Sequence, residues 1–392
     1  MSYTVLARRY RSREFDELVG QEAIARTLRN AIDQGRVAHA YLFVGTRGVG
    51  KTTMARLLAK QLNAGDDAAV AEAVMSGQDT DVVEIDAASN RGVDEARELI
   101  ANSVYRPLRG KFKIYIIDEV HMLTREAFNA LLKIMEEPPA HVKFILCTTE
   151  AHKVPATIQS RCQRFDFRRL SSEEIAKHLA MVCKKEKIAG DPAALALVAR
   201  LGNGSMRDAL SLLDRLMAAC GPGEKVTVDL IETVLGLPPS ARMEALVGAL
   251  ASGDAAAALE EMDGVLSSGA ESEQALDALA ERFRDLMVLS VCGSDTKLVE
   301  LAGDARDRAA AQARLFDGAG LVHMVALVES VARMCRTSSS PRALMDALIV
   351  RLAMTEKLAD VTRLLAGEGG GASPTPRASA SRAPAGAPAK KR

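Results

Sequence analysis

Tryptophan is absent from this 392-residue chain and aromatic residues make up only 4% of it, which argues against a binding surface built on base stacking. The six cysteines (Cys147, Cys162, Cys183, Cys220, Cys292 and Cys335) are far apart and form no CxxC pair. A disulfide framework and a cysteine-rich zinc site are therefore both disfavoured, and a reducing cytoplasm is the expected setting. There is no net charge, since 51 Lys and Arg balance 51 Asp and Glu, so any basic surface must be local. No run approaches the ~18 uncharged apolar residues of a membrane span, and the first residues lack the apolar core of a signal peptide. Against these absences stand 48% hydrophobic and 26% charged residues, an ordinary globular balance.

The first ~165 residues alternate strand and helix patterns. Ala40 to Val44, Asp81 to Asp86, Phe112 to Asp118, Val142 to Thr148 and Arg164 to Phe167 read as strands. Thr53 to Leu62 and Val93 to Val104 read as helices. A third helix is N-capped by Thr124, carries Phe128, Leu131, Leu132 and Met135 on one side, and stops before Pro138-Pro139. Strands separated by helices predict an α/β domain with a parallel sheet. From Ser171 to about Leu365 helix follows helix, with breaks near residues 189–192, 202–204, 221–223 and 237–239. The expected division is 1–168, an α/β domain; 169–237, a small helical segment; 240–366, a longer all-α segment; and 367–392, a tail that from Gly369 onward is almost entirely Gly, Ala, Ser and Pro with five basic residues and no acid.

Gly45-Thr46-Arg47-Gly48-Val49-Gly50-Lys51-Thr52 matches the phosphate-binding pattern G-x-x-x-x-G-K-[ST]. Its glycines let backbone N–H groups close around a phosphate, and the helix opening at Lys51 turns its positive end to the same anion. Lys51 is expected to reach the β- and γ-phosphates, and the Thr52 hydroxyl to ligate Mg²⁺. The apolar strand Ile114-Tyr115-Ile116-Ile117 ends in Asp118 and Glu119. Asp118 is placed for the Mg²⁺ shell and Glu119 to orient and deprotonate the attacking water. Cys162 reads as a small buried apolar residue, and His39 and His121 as ordinary hydrogen-bonded histidines. Asn90-Arg91 opens a helix whose N-terminus is a candidate for a DNA phosphate.

Together the two motifs resemble the AAA+ ATPase family. Thr149 resembles its first sensor, Ser160-Arg161-Cys162 the Ser-Arg-Cys signature of sliding-clamp loaders, and Gly204-Ser205-Met206-Arg207-Asp208-Ala209 the second sensor. Further stretches are similar to the gamma/tau subunits of bacterial DNA polymerase III: Leu6-Ala7-Arg8-Arg9-Tyr10-Arg11, Val19-Gly20-Gln21, His39-Ala40-Tyr41-Leu42-Phe43, Glu84-Ile85-Asp86-Ala87-Ala88-Ser89 and Glu136-Glu137-Pro138-Pro139. The resemblance implies an ATPase domain, a lid and a collar that closes a five-subunit ring. It adds Ala7, Arg11, Val19 and Thr53 to the nucleotide-binding set. It makes Arg161 a finger reaching a neighbour's ATP, and Arg207 a lid arginine facing the γ-phosphate.

The implied partners are delta, delta-prime and further gamma/tau copies, the sliding clamp, and primer–template DNA held through its phosphates. Two departures bear on this. The family's four-cysteine zinc module is missing, since Ala64 to Thr80 has no cysteine, so zinc is expected to be absent. The short basic tail resembles the short form of the subunit rather than the polymerase-tethering long form. The alternatives are another AAA+ machine, an archaeal-type clamp-loader small subunit or a branch-migration helicase. DNA synthesis itself is not expected, because the only paired carboxylates at a strand end belong to the ATP site; a polymerase designation would describe the assembly.

Overall fold

The computed structural model describes residues 4–354 apart from 66, 90, 91, 93–100, 222, 297 and 302. The expected helix Val93 to Val104, the Asn90-Arg91 helix start and the basic tail therefore lie wholly or mostly outside the described residues. The chain forms two units, one running to Leu237 and taking in 300–302, the other made of the rest from Pro238 onward.

In the first unit five strands, β1 (Ala40–Val44), β2 (Val82–Asp86), β3 (Lys113–Asp118), β4 (Val142–Thr148) and β5 (Gln163–Asp166), form one sheet in the order β2-β3-β4-β1-β5. Every pairing is parallel. Such a sheet is covered on both faces, which is why its central strands read as unbroken apolar runs. Alternation sorts their side chains: Tyr41, Phe43, Ile114, Ile116 and Ile145 join Met54, Leu57 and Leu58 on one face. Leu42, Tyr115, Ile117, Phe144 and Leu146 join Phe128, Leu131 and Met135 on the other.

The helices follow α1 (Leu6–Arg9), α2 (Glu22–Asp33), α3 (Lys51–Asn63), α4 (Ala68–Ser76), α5 (Arg125–Glu136) and α6 (Ala156–Gln159). The capping signal at Thr124 is realised, its hydroxyl accepting the Ala127 N–H at 3.2 Å. Helix α3 starts two residues before the periodic stretch, because Gly50 in the left-handed region (φ 102°) supplies the turn into it. Strand β5 lies one residue earlier than the sequence pattern suggests. Asp81, almost wholly buried, accepts the backbone N–H groups of Leu108, Arg109 and Gly110 at 2.7–2.9 Å and fixes the approach to β3. Burial alone would raise its pKa, but the N–H groups from Gly110, Leu108 and Arg109 outweigh that and lower it.

The same unit contains a helical cluster made by α7 (Ser172–Glu186), α8 (Pro192–Leu201), α9 (Met206–Ala219) and α10 (Val228–Leu235). Its core of Ile175, Leu179, Val198, Leu210, Leu213 and Ile231 also takes in Leu6 from α1. A two-residue parallel ladder joins Ala189–Gly190, at an expected break between helices, to Lys225–Val226, in a stretch where almost no strand was expected. A capping box at Ser171 and Glu174 starts α7. The Arg168 guanidinium beside Glu174 holds that carboxyl down to about 2.

The sign of the linkage follows: with a folded pKa below the ordinary value of 4.5, the contribution is complete above about pH 5 and lost as pH falls towards 2. Because Arg168 is half exposed, solvent screening reduces the contribution to roughly 1 kcal/mol. Urea denaturation should therefore find Glu174→Gln less stable than the parent at pH 7, with the gap closing towards pH 3. A constant gap across that range would show that the carboxylate charge is not its source.

The second unit is helical: α11 (Ser240–Ala251), α12 (Ala255–Ser267), α13 (Ser272–Cys292), α14 (Asp304–Ala313), α15 (Gly318–Cys335) and α16 (Pro341–Ala353). Asp254 and Asp317 cap α12 and α15. Helix α15 has the length and mean hydropathy of a membrane span. It nevertheless carries Glu329 and Arg333 and buries Leu321, Met324 and Val328 among its neighbours.

Candidate functional site

In a parallel sheet the C-terminal strand ends form one rim, where ligands of open α/β folds sit. The phosphate-loop motif follows β1 there, Asp118 and Glu119 end β3, and Thr149 follows β4. These expected residues are brought together. The Thr52 hydroxyl donates to Asp118 Oδ2 at 2.6 Å, so the two proposed Mg²⁺ ligands already share one point. The Thr149 hydroxyl donates to Glu119 Oε2 at 3.1 Å. Glu119 sits in the left-handed region (φ 47°), and its N–H donates to Asp118 Oδ1 at 2.9 Å. A non-glycine residue in that conformation is strained, and here it turns the carboxylate towards Thr149.

The Lys51 ammonium is almost wholly buried and donates to the carbonyls of Gly45 and Thr46 at 2.7 and 2.9 Å. Burial lowers its pKa, while Glu119, Cys147 and Asp118 pull the other way. A buried cation among loop carbonyls, with left-handed glycines at 48 and 50, fits a polyphosphate cradle. Thr46 and Arg47 form the exposed crown of the loop, whereas the Val49 side chain enters the core. Val49 can therefore meet phosphate only through its backbone. Thr53 is half-buried on the first turn of α3.

The lid arginine lies close to this loop. The Met206 N–H donates to the Gly48 carbonyl at 3.1 Å. A Cβ on Gly48 would fall 1.9 Å from Ser205 Oγ and 3.2 Å from Arg207 Cβ, so only glycine permits this approach. Arg207 thus stands at the start of α9, against the phosphate loop.

Arg11 is partly buried; burial and the positive charges of Arg56, Arg207 and Arg8 lower its pKa, with Glu84 opposing. Ala7 and Val19 pack on the core of the helical cluster. Not all the N-terminal arginines belong to this site. Arg9 pairs with Glu186 at 2.6 Å and Arg13 with Glu72 at 3.2 Å, which ties the segment to α7 and α4.

Arg161 is elsewhere. It precedes β5, whose first residue, Gln163, is in register with Tyr41, while the phosphate loop follows Val44 at the far end of β1. Three strand residues, roughly 10 Å, separate the two levels before the turns are added. The arginine lies at the N-terminal rim, away from the phosphate loop of its own chain.

Three residues near Glu119, namely His121, Thr148 and Glu150, were not singled out as functional from sequence. His121 Nδ1 lies 3.0 Å from Thr148 Oγ1 and 3.5 Å from Glu119 Oε2, and its Nε2 lies 3.7 Å from Glu150 Oε1. His121 is hydrogen-bonded, as expected, but to the strand end that carries Thr149. His39 differs from its expectation, since its Nε2 is buried without a hydrogen-bond partner among the described residues. Cys162 is partly buried, and burial pushes its thiol up to about 12, which disfavours the thiolate.

Three family models match in succession. "DNA polymerase III, delta subunit" covers residues 20–171, "DNA polymerase III clamp loader subunit, ATPase lid domain" 174–222, and "DNA polymerase III subunits gamma and tau domain III" 226–366. The gamma/tau subunit of Mycobacterium tuberculosis is 40% identical over 359 residues, 88% of this chain and 62% of that one. The tau subunit of Escherichia coli is 42% identical over 313 residues, 77% of this chain and 48% of its own length. That of Bacillus subtilis is 36% identical over 364 residues, 91% and 64% respectively. The chain thus spans about half to two thirds of the length of these relatives. Among solved structures, the Thermotoga maritima RuvB branch migration motor superposes with a TM-score of 0.47 at 18% identity, over 62% of this chain and 79% of that one. With the three family models matching in order between residues 20 and 366, the chain belongs to the gamma/tau family of DNA polymerase III clamp-loader subunits.

Proposed function

We propose that this chain is an ATP-hydrolysing motor subunit of a clamp loader, opening the sliding clamp and setting it on primer–template DNA in the bacterial cytoplasm. Lys51, the N–H groups of residues 45–52, and Arg207 hold the triphosphate; Arg11, Ala7 and Val19 line the adenine side. Thr52 and Asp118 would hold Mg²⁺, which when bound would offset the charge that develops on transfer. Glu119, oriented by Thr149, takes the proton of the attacking water.

The observation that carries the proposal is the split between rims. Lys51, Thr52, Asp118 and Glu119 meet at one rim of the sheet, and Arg161 stands at the other. A site that lacks Arg161, on a chain that carries that arginine at the opposite rim, is suited to catalysis between neighbouring copies. Residues 169–237 act as the lid and 240–366 as the collar of the ring, with delta- and delta-prime-type subunits completing it. DNA is held through its phosphates, so binding is independent of sequence and weakens with salt. The test is ATP turnover by the reconstituted complex: clamp and primed DNA together should stimulate it several-fold, and an unresponsive rate would refute the loader role.

A further inference from the structure

Arg161 is already held in place. Its Nη1 donates to the Thr157 carbonyl and its Nη2 to Glu136 Oε1, both at 2.7 Å. The Ser160 hydroxyl donates to the same Thr157 carbonyl at 3.1 Å. Glu136 is the last residue of α5, the helix that leaves the ATP rim at Thr124 and returns to the opposite one. A carboxylate at a helix C-terminus faces the unpaired carbonyls and is disfavoured there by the helix dipole. The guanidinium beside it offsets that cost.

Stability is a weak reason for the pair. Arg161 is 33% and Glu136 53% exposed, and exposed pairs contribute only about 0–1 kcal/mol. What the two contacts fix is direction. Of the five N–H groups of the planar guanidinium they occupy two, leaving three to meet an anion. A fork held at two points loses little further side-chain freedom when it meets an anion, whereas an untethered arginine loses rotamer entropy at the moment of reaction.

We infer that Glu136 is the positioning residue for Arg161: the carboxylate at the end of α5 holds the guanidinium ready for the γ-phosphate of a neighbouring subunit. This rests on Arg161 acting across the interface. Glu136 touches no nucleotide, and its effect passes wholly through the arginine.

The experiment is a double-mutant cycle in the complete loader with clamp, primed DNA and ATP. Glu136→Ala should lower kcat about tenfold with KM for ATP unchanged within about twofold, since a misaimed group costs the transition state rather than binding. Glu136→Gln, whose amide oxygen still accepts from Nη2, should recover most of the rate. In an Arg161→Ala background neither change should cost anything more. An equal loss in that background, a raised KM in place of a lowered kcat, or a rate unchanged or increased in Glu136→Ala would overturn the assignment while leaving the finger intact. Full turnover by Arg161→Ala would overturn both.

Discussion

Arg161→Ala is expected to slow ATP turnover by the assembled complex about 10³-fold while nucleotide affinity shifts by less than about threefold. The two numbers separate because of where the residue stands. Lys51, Arg11 and Arg207 are on or beside the phosphate loop of the same chain and are the residues proposed to bind its nucleotide in the ground state. Arg161, at the other rim and tied to Glu136, has no part in that binding. Its guanidinium would meet charge only in a neighbour's site, where stabilisation of the transferring phosphoryl group is worth most in the transition state. Steady-state kcat of the complex, set beside the Kd of a fluorescent nucleotide for the isolated chain, gives both quantities. A loss of affinity in the isolated chain would place Arg161 in its own site and end the interfacial account. The parent chain alone should for the same reason turn over slowly, and a monomer hydrolysing at the full complex rate would be equally damaging.

The sheet was legible because burial on both faces writes itself into β-prone apolar runs: β1 and β4 match the sequence expectation residue for residue. Helix α3 was legible by a second route, since periodicity begins at Thr53 but the phosphate-loop pattern requires a helix start at Lys51, and the structure follows the pattern. The ladder joining 189–190 to 225–226 was not legible, because two residues carry no period. Among the arginines at 8, 9, 11 and 13 the family resemblance singled out Arg11 alone, without showing what the others do. Only the fold shows that Arg9 and Arg13 meet acids while Arg11 is turned among other cations.

The supports of the site were hidden for a related reason. Glu136 and Arg161 are 25 positions apart, and His121 and Thr148 are 27 apart. Each pair meets because strands β3, β4, β1 and β5 lie side by side, an adjacency that local patterning does not encode. A motif names the groups that touch the substrate; the groups that hold them depend on topology.

Glu119→Gln should abolish most hydrolysis, by about 10²-fold or more, and leave ATP binding intact. The substitution keeps the size and the hydrogen-bonding oxygen that accepts from Thr149, so the left-handed turn at residue 119 and its N–H to Asp118 are not disturbed. What it removes is the basic carboxylate, and an amide cannot take a proton from water. Binding should persist because Thr52 and Asp118, the proposed Mg²⁺ ligands, and Lys51 are untouched. The variant complex should therefore accumulate in its ATP-bound form, still able to hold the clamp and unable to release it. Single-turnover hydrolysis measured beside clamp retention distinguishes this from a binding defect. Thr149→Val supplies the internal control: it removes the hydroxyl that orients Glu119 but spares the base, so its loss should be smaller and should nearly vanish in the Glu119→Gln background. A Thr149→Val loss that is undiminished there would mean that the hydroxyl acts on something other than Glu119, and a Glu119→Gln variant with normal turnover would put the base elsewhere.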